Sequence, residues 1–277
     1  MPKNLSSAIQ TGPLSVGNVV NAALRIYRDH FKSYFGLALV AYLWLLVPIY
    51  GWAKYSAISA LISRLAFGEV SEHPETVSDA RGEVEPRMWS FLWAGILTFL
   101  IFFGASLVGG IAMYSFVVPG AVAIIGPNYA ILSAFLIVSA IAFFILNLRV
   151  ISQLFIVELP LAIENNLNAS LAISRSWELT KGSVGRIQWI IFVGILVSLP
   201  ISIFVQILSL IVQVVLSRVL GADSGLFYLV YYLLILPFNF FGIGAVMMPF
   251  WQSMKAIIYY DLRSRKEGLG LQIRDAK

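Results

Sequence analysis

The chain contains no cysteine, only two histidines and few charges, with Asp, Glu, Lys and Arg making up 12% of its 277 residues. The missing cysteine excludes disulfides, thiol catalysis and cysteine-ligated metals. The histidines, His30 and His73, lie far apart in sequence, and His30 with Asp29 lacks the further ligands of an ordinary zinc site. There is no glycine-rich phosphate loop, nucleophile elbow or HExxH pattern. The segment Gly68–Arg87 gathers Glu69, Glu72, Glu75, Asp79, Glu83 and Glu85 without the spacing of a calcium loop, and reads as a solvated loop. The first residues, MPKNLSSAIQTGPLS, have no apolar core, so no cleavable signal peptide is expected. These absences leave no catalytic centre, no metal site and no cofactor site to assign.

What is present is apolar. Hydrophobic residues make up 59% of the chain and the mean hydropathy is +0.85, whereas a soluble domain carries roughly a quarter charged residues. Runs near or above ~20 apolar residues mark an integral membrane protein. Seven Trp, twelve Tyr and nineteen Phe supply interfacial belts. The net charge of +5 sits at the ends of apolar runs, which suits anionic headgroups rather than nucleic acid.

The organising stretch is Leu159–Arg186, polar but patterned as a helix between strongly apolar segments. Ile163, Leu167, Leu171 and Trp177 recur at helical spacing, Glu164, Asn168, Arg175 and Glu178 mark another face, Pro160 opens it and Lys181-Gly182 closes it. It is too polar to span a bilayer and reads as an interfacial helix. A second such helix is expected over Leu14–Tyr34. There Val16, Val19, Val20, Ala23, Leu24, Tyr27 and Phe31 form one stripe, opposite Asn18, Asn21, Arg25, Arg28 and Lys32.

Phe35–Phe67 is apolar but interrupted near Val47–Trp52, too long for one span and short for two. Met88–Val118 reads as a span with small-residue packing patterns at Ala105/Gly109 and Ser106/Gly110. Pro119-Gly120 and Gly126-Pro127 frame a turn, and a second span runs to about Leu148 with Arg149 at its end. Ile187–Leu216 carries Pro200, Arg218–Gly225 is a short turn, and Leu226–Tyr260 carries Pro237 and Pro249 before a basic end at Arg263, Arg265 and Lys266. Residues 1–13 read as a flexible lead and 269–277 as a loose tail. The expected fold is all-α: a single polytopic helix bundle with five to six membrane segments plus two interfacial amphipathic helices.

If Phe35–Phe67 dips in and returns, 17 of the 19 Lys and Arg residues share one side, with only Lys54 and Arg218 opposite. That count favours a multi-pass protein of the cell (inner or plasma) membrane with both termini cytoplasmic. Ala23–Ile49 and Ala172–Ile201 share an order of basic helix, hinge and apolar helix ending near proline. They read either as internal duplication, with halves of about 14–158 and 159–268, or as two similar solutions to one packing problem.

Polar residues inside apolar runs are costly in lipid, which singles out Asn147, Gln153, Gln206, Gln213 and Asn239 as interhelical contacts, with Arg149 and Glu158 near helix ends. Arg149, Arg186, Arg218 and Lys255 sit where they can reach headgroups. Arg25, Arg28, Lys32, Arg175, Lys181, Arg186, Arg263, Arg265 and Lys266 form the candidate headgroup or partner-docking set, with Tyr259 and Tyr260 at headgroup level.

Arg149 and Pro160, then SLAISRSWELTKGSVGRI (Ser170–Ile187), then YYDLRSRKEG (Tyr259–Gly268), resemble the membrane-domain family named after glycerophosphoryl diester phosphodiesterase. The resemblance covers nearly the whole chain and implies a polytopic module of about six helices. The chain has no room for that family's catalytic barrel and none of its histidine and carboxylate clusters, so the enzymatic name does not transfer. The expectation is a non-enzymatic accessory module that organises membrane lipid, chiefly anionic headgroups, or a membrane-protein partner. The alternative is a carrier or channel for a small or lipidic solute.

Overall fold

The computed structural model describes residues 14–125, 129–165 and 167–268, and no strand occurs among them. The expected lead, the Gly126-Pro127 turn and the expected tail lie outside the described residues.

Ser15 caps α1 (Val16–Asp29), its side chain accepting from Asn18 N. The helix breaks at His30 and restarts as α2 (Phe31–Trp44), so the single helix expected over Leu14–Tyr34 is two. Residues 45–49 turn the chain back into α3 (Tyr50–Val70). Ile49, at φ 62° and ψ −70°, centres a γ-turn closed by Tyr50 N to Pro48 O at 2.7 Å. Gly51 follows because a Cβ there would overlap the Trp44 carbonyl. The apolar stretch 35–67 is therefore a helical hairpin. Near its turn, Tyr42 meets the rings of Phe240 and Phe241 on the last helix edge-on at 6.0 and 6.2 Å.

The acidic segment is partly helical. Thr76 caps α4 (Val77–Val84), and a 3-10 turn over Glu85–Arg87 leads into α5 (Met88–Ala112). A widened π turn at Met113–Val117 joins α5 to α6 (Val118–Ile125). α7 (Tyr129–Leu154) returns, α8 (Glu158–Ile163) and α9 (Ala169–Thr180) follow, and α10 (Val184–Leu220) runs out again through Pro200. α11 (Gly225–Val230) passes through a second π turn, Tyr231–Ile235, into α12 (Leu236–Glu267). Each π turn lies just before a proline, Pro119 or Pro237, where the missing N–H breaks the ordinary ladder.

Among the described residues, four helical stretches are long and apolar enough to cross a membrane: Val77–Ile124, Ala130–Ile163, Val184–Leu220 and Gly225–Glu267. The α2–α3 hairpin is not among these four. At ~1.5 Å per residue the 37 residues of α10 reach about 55 Å, well beyond a ~30 Å hydrocarbon core. The excess belongs to a packed base. Val184, Ile187, Ile190, Ile191 and Gly194 of α10 are buried there, with much of α3 and Ala245–Leu262 of α12, while Ile203, Phe204, Leu226 and Phe238 are exposed. Leu14 N donates to Asp261 Oδ1 at 3.2 Å, so both ends of the described chain meet in that base.

The polar stretch expected as one interfacial helix is broken at Glu164, whose backbone is extended, and restarts at the Asn168 cap. Its buried face also differs. Ala172, Ser176, Leu179 and Thr180 are inside, while Leu171 and Trp177 are exposed. Small side chains let α9 approach closely enough for Ser176 Oγ to donate to Gln153 O at 2.8 Å. The stripe of α1 shifts similarly, with Ala22 and Ile26 buried and Leu24 and Phe31 exposed. Both helices press one face onto protein rather than only resting on lipid.

The two proposed repeat units share helix–break–helix order but diverge afterwards. α2 stops after 14 residues and turns back, whereas α10 continues through its proline for 37.

Candidate functional site

Two blocks that stand out in the sequence, Ser170–Ile187 and Tyr259–Gly268, come together in the base as an ionic seam. Arg175 lies 3.2 Å from both Glu164 carboxylate oxygens and also pairs with Glu267. Arg263 Nε donates to Glu267 at 2.9 Å, and Tyr259 donates its hydroxyl hydrogen to Glu164 at 2.7 Å. Burial opposes the Arg175 charge, yet hydrogen bonds and charge from Glu164 and Glu267 hold its pKa above the ordinary arginine value. Lys266 donates to the Glu178 and Lys181 carbonyls at 2.8 Å, satisfying the open end of α9.

Asp261 anchors the other end of the seam. Its side chain is 1% exposed and accepts from Arg186, from Arg265 Nη2 at 2.9 Å and from Leu14 N. Arg186 also reaches Leu14 O at 3.3 Å, so one carboxylate ties the entry of α1, the start of α10 and the end of α12.

These contacts reassign much of the expected docking set. Arg175, Arg186, Arg263 and Arg265 pair with internal carboxylates and Lys266 caps a helix, so their charges are committed within the base. Tyr259 and Tyr260 are buried and do not sit as headgroup-level rings. Arg28 is 78% exposed and pairs only with its neighbour Asp29. Arg25, Lys32, Arg149 and Lys181 form no ion pair among the described residues, and Lys32, Arg149 and Lys181 are exposed.

The interhelical candidates divide in the same way. Asn147 accepts from Ser106 and donates to Phe143 O at 2.9 Å, joining α5 to α7 where Gly109 faces the Phe143 ring. Asn239 donates to Ser209 Oγ at 2.7 Å across α10 and α12. Gln153 contributes its backbone carbonyl, and the side chains of Gln206 and Gln213 show no hydrogen bond among the described residues.

The acidic loop is structural rather than merely solvated. Glu75 grips Arg64 through two bonds of 2.7 and 2.9 Å, Glu69 lies 3.3 Å from His30, and Glu85 pairs with Lys54. The Glu85 hydrogen bond holds the Lys54 pKa up against modest burial. This contact also brings Lys54 to the level of the acidic segment, so it is not across the membrane from Glu85 as the sequence count has it. Among the described residues no group of three or more His, Cys, Asp or Glu could hold a metal ion.

A second polar cluster sits where the base meets the spans. Lys255 Nζ donates to Glu158 Oε1 at 3.0 Å, so Lys255 is paired rather than extended to headgroups. Ser63 Oγ lies 2.8 Å from that same oxygen and 2.9 Å from Gln252 Oε1, and its single hydrogen serves one at a time. Ser59 donates to Glu158 Oε2 at 3.3 Å and accepts from Gln252. Glu158, Lys255, Ser59 and Gln252 border a cavity of about 290 Å³ between α3, α5, the α7–α8 junction and α12. Sequence reasoning noticed Glu158 and Lys255 separately. Their partnership spans 97 positions, and Ser59, Ser63 and Gln252 carry no signal of their own in an apolar chain.

No family model matches the chain, and neither a curated protein nor a solved structure does.

Proposed function

We propose that the protein is a non-enzymatic membrane module whose base gathers anionic lipid headgroups, or an anionic membrane partner, around a bundle of four spans. The carrying observation is how the fold sorts its cations. Those in the seam are neutralised internally, while Arg25, Lys32, Arg149 and Lys181, at the base ends of their helices, are left without an anionic partner among the described residues. Each cation near an anionic surface contributes about 1 kcal/mol before screening, so Arg25, Arg28 and Lys32 together supply ~3 kcal/mol.

The cytoplasmic side is the consistent placement for this base. Lys54 joins the residues on the base side, which leaves Arg218, among the described residues, as the one Lys or Arg at the far end of the spans. A cell-membrane location follows the same reasoning. The likeness to the glycerophosphoryl diester phosphodiesterase membrane-domain family remains a reading of the Ser170–Ile187 and Tyr259–Gly268 blocks, and supports a module rather than an enzyme.

The test is lipid retention by the full chain. Protein reconstituted with mixed anionic and zwitterionic lipid is expected to retain anionic lipid above its bulk fraction. Replacing Arg25, Arg28 and Lys32 with Gln should abolish most of that enrichment at unchanged thermal stability. Undiminished enrichment in the triple variant would overturn the reading.

A further inference from the structure

The Glu158–Lys255 cavity has a pattern of unused valences that the anionic-lipid surface does not explain. Of the three Lys255 N–H donors, one goes to Glu158, and the ammonium also lies 5.5 Å from the centroid of the Phe155 ring, which leaves it short of oxygen acceptors. Glu158 Oε2 accepts only the long bond from Ser59, although a carboxylate oxygen takes two. Thr98 lines the same cavity, and its hydroxyl oxygen is shielded from solvent with no hydrogen-bond partner. Polar groups shielded this way cost free energy unless something completes them. Open valences of opposite character therefore border one cavity: N–H donors on Lys255, an acceptor on Glu158 and a hydroxyl that can do either.

A purely anionic ligand would meet Lys255 but face the Glu158 carboxylate. A purely cationic one would meet Glu158 but face the ammonium. A group carrying both charges satisfies both. At about 290 Å³ the cavity has room for several water-sized groups. It spans the level at which a headgroup enters: Glu158 and Lys255 belong to the base, while Thr98 is ten residues into α5, past the exposed Trp89 and Trp93. Beyond it, exposed Phe99 and Phe103 offer apolar surface for acyl chains.

We propose that this cavity binds the amine–phosphate headgroup of a zwitterionic phospholipid, its phosphate toward Lys255 and Thr98 and its primary amine toward Glu158 Oε2. A primary ammonium is specified over a quaternary one because Glu158 requires an N–H donor, which a trimethylated amine lacks. The site shares no residue with the α1 cations, so either reading can fail without the other.

The full chain, purified in detergent and delipidated, is titrated with short-chain phosphatidylethanolamine, phosphatidylcholine, phosphatidylglycerol and free phosphoethanolamine, with bound ligand counted by native mass spectrometry. The ethanolamine lipid is expected to bind about tenfold more tightly than the choline lipid, the worth of one hydrogen bond to a charged group. Glu158→Gln should remove that preference. Thr98→Val, which leaves the ion pair untouched, should weaken ethanolamine-lipid binding about fivefold with no loss of thermal stability. Neither variant should alter the anionic enrichment attributed to α1. Equal binding of ethanolamine and choline lipids, tighter binding of phosphatidylglycerol by a chain already carrying Arg25→Gln, Arg28→Gln and Lys32→Gln, or full ethanolamine-lipid affinity in Thr98→Val would overturn the proposal. Binding of free phosphoethanolamine as tightly as the lipid would overturn its membrane source.

Discussion

The base and the spans both carry many apolar residues yet pack in opposite ways. In the base, α3 is lined by Ala53, Ala57, Ala60 and Ala66, and α12 meets it with Met254, Ile257, Ile258 and Tyr259, all buried. In the spans, Phe99, Val108, Ile137, Phe204 and Leu233 point outward and are more than half exposed. The base also holds a seam of paired charges that the outer parts of the spans lack among the described residues. Small residues and ion pairs therefore accompany close helix approach, and large aliphatics accompany lipid contact. Where lipid is as apolar as a side chain, hydrophobicity gives no reason for helices to associate, so packing and polar contacts must do so.

Removing the seam's anchor should break this contrast most strongly. Asp261→Ala strands Arg186 and Arg265 and frees Leu14 N, and losing one partner of a buried pair costs about 3–5 kcal/mol. Phe204→Ala, at a side chain 67% exposed, should stay within about 0.5 kcal/mol. Denaturant titration in one mild detergent compares them directly, and equal losses would erase the distinction between the regions.

A smaller effect is expected where the hairpin docks. A Cβ at Gly244 would overlap the Tyr42 ring, so Gly244→Ala should cost about 1–3 kcal/mol and Tyr42→Ala should partly suppress that cost. At the hairpin turn, Ile49→Gly relieves a β-branched residue held at φ 62° and is expected to stabilise by about 0.5–1 kcal/mol. A loss of stability there would mean the Ile49 side chain contributes more than its backbone costs.

The smallest effect concerns pH. Burial pushes the Tyr27 hydroxyl from its usual 10.0 up to about 12, so the folded protein holds that proton more tightly than the unfolded chain. Stability from this group is complete below pH 10 and is lost as pH rises toward 12; the raised Lys54 pKa acts in the same direction. Tyr27→Phe, which also removes a buried hydroxyl without a partner, should flatten the decline and leave stability near pH 7 unchanged or slightly higher. An unaltered alkaline slope would place the titration elsewhere.

Much of the architecture was legible because it depends on the amplitude of hydropathy. The spans, the interruption near Val47–Trp52 and the two basic blocks all stand out in that signal. Which apolar face meets protein and which meets lipid was not legible, since both surroundings are apolar. That is why Leu171 and Trp177 read as a buried stripe while Ala172 and Ser176 are the residues inside. Partnerships over long separations were also hidden. Lys54 with Glu85, Glu158 with Lys255 and Arg186 with Asp261 each look like free charges until the fold joins them. The break at Glu164 belongs with them, because its carboxylate is drawn to Arg175 and Tyr259 in the seam.

Side-specific labelling of single cysteines, introduced into this cysteine-free chain in sealed vesicles, tests the division into one charged base and four spans most directly. Ser78→Cys on α4 and Ser174→Cys on α9 are expected to label from one side, and Ala222→Cys in the α10–α11 turn from the other. Val47→Cys at the hairpin tip should resist aqueous reagent from both. Labelling of Val47→Cys from the Ala222 side, or of Ser78→Cys and Ser174→Cys from opposite sides, would contradict the account.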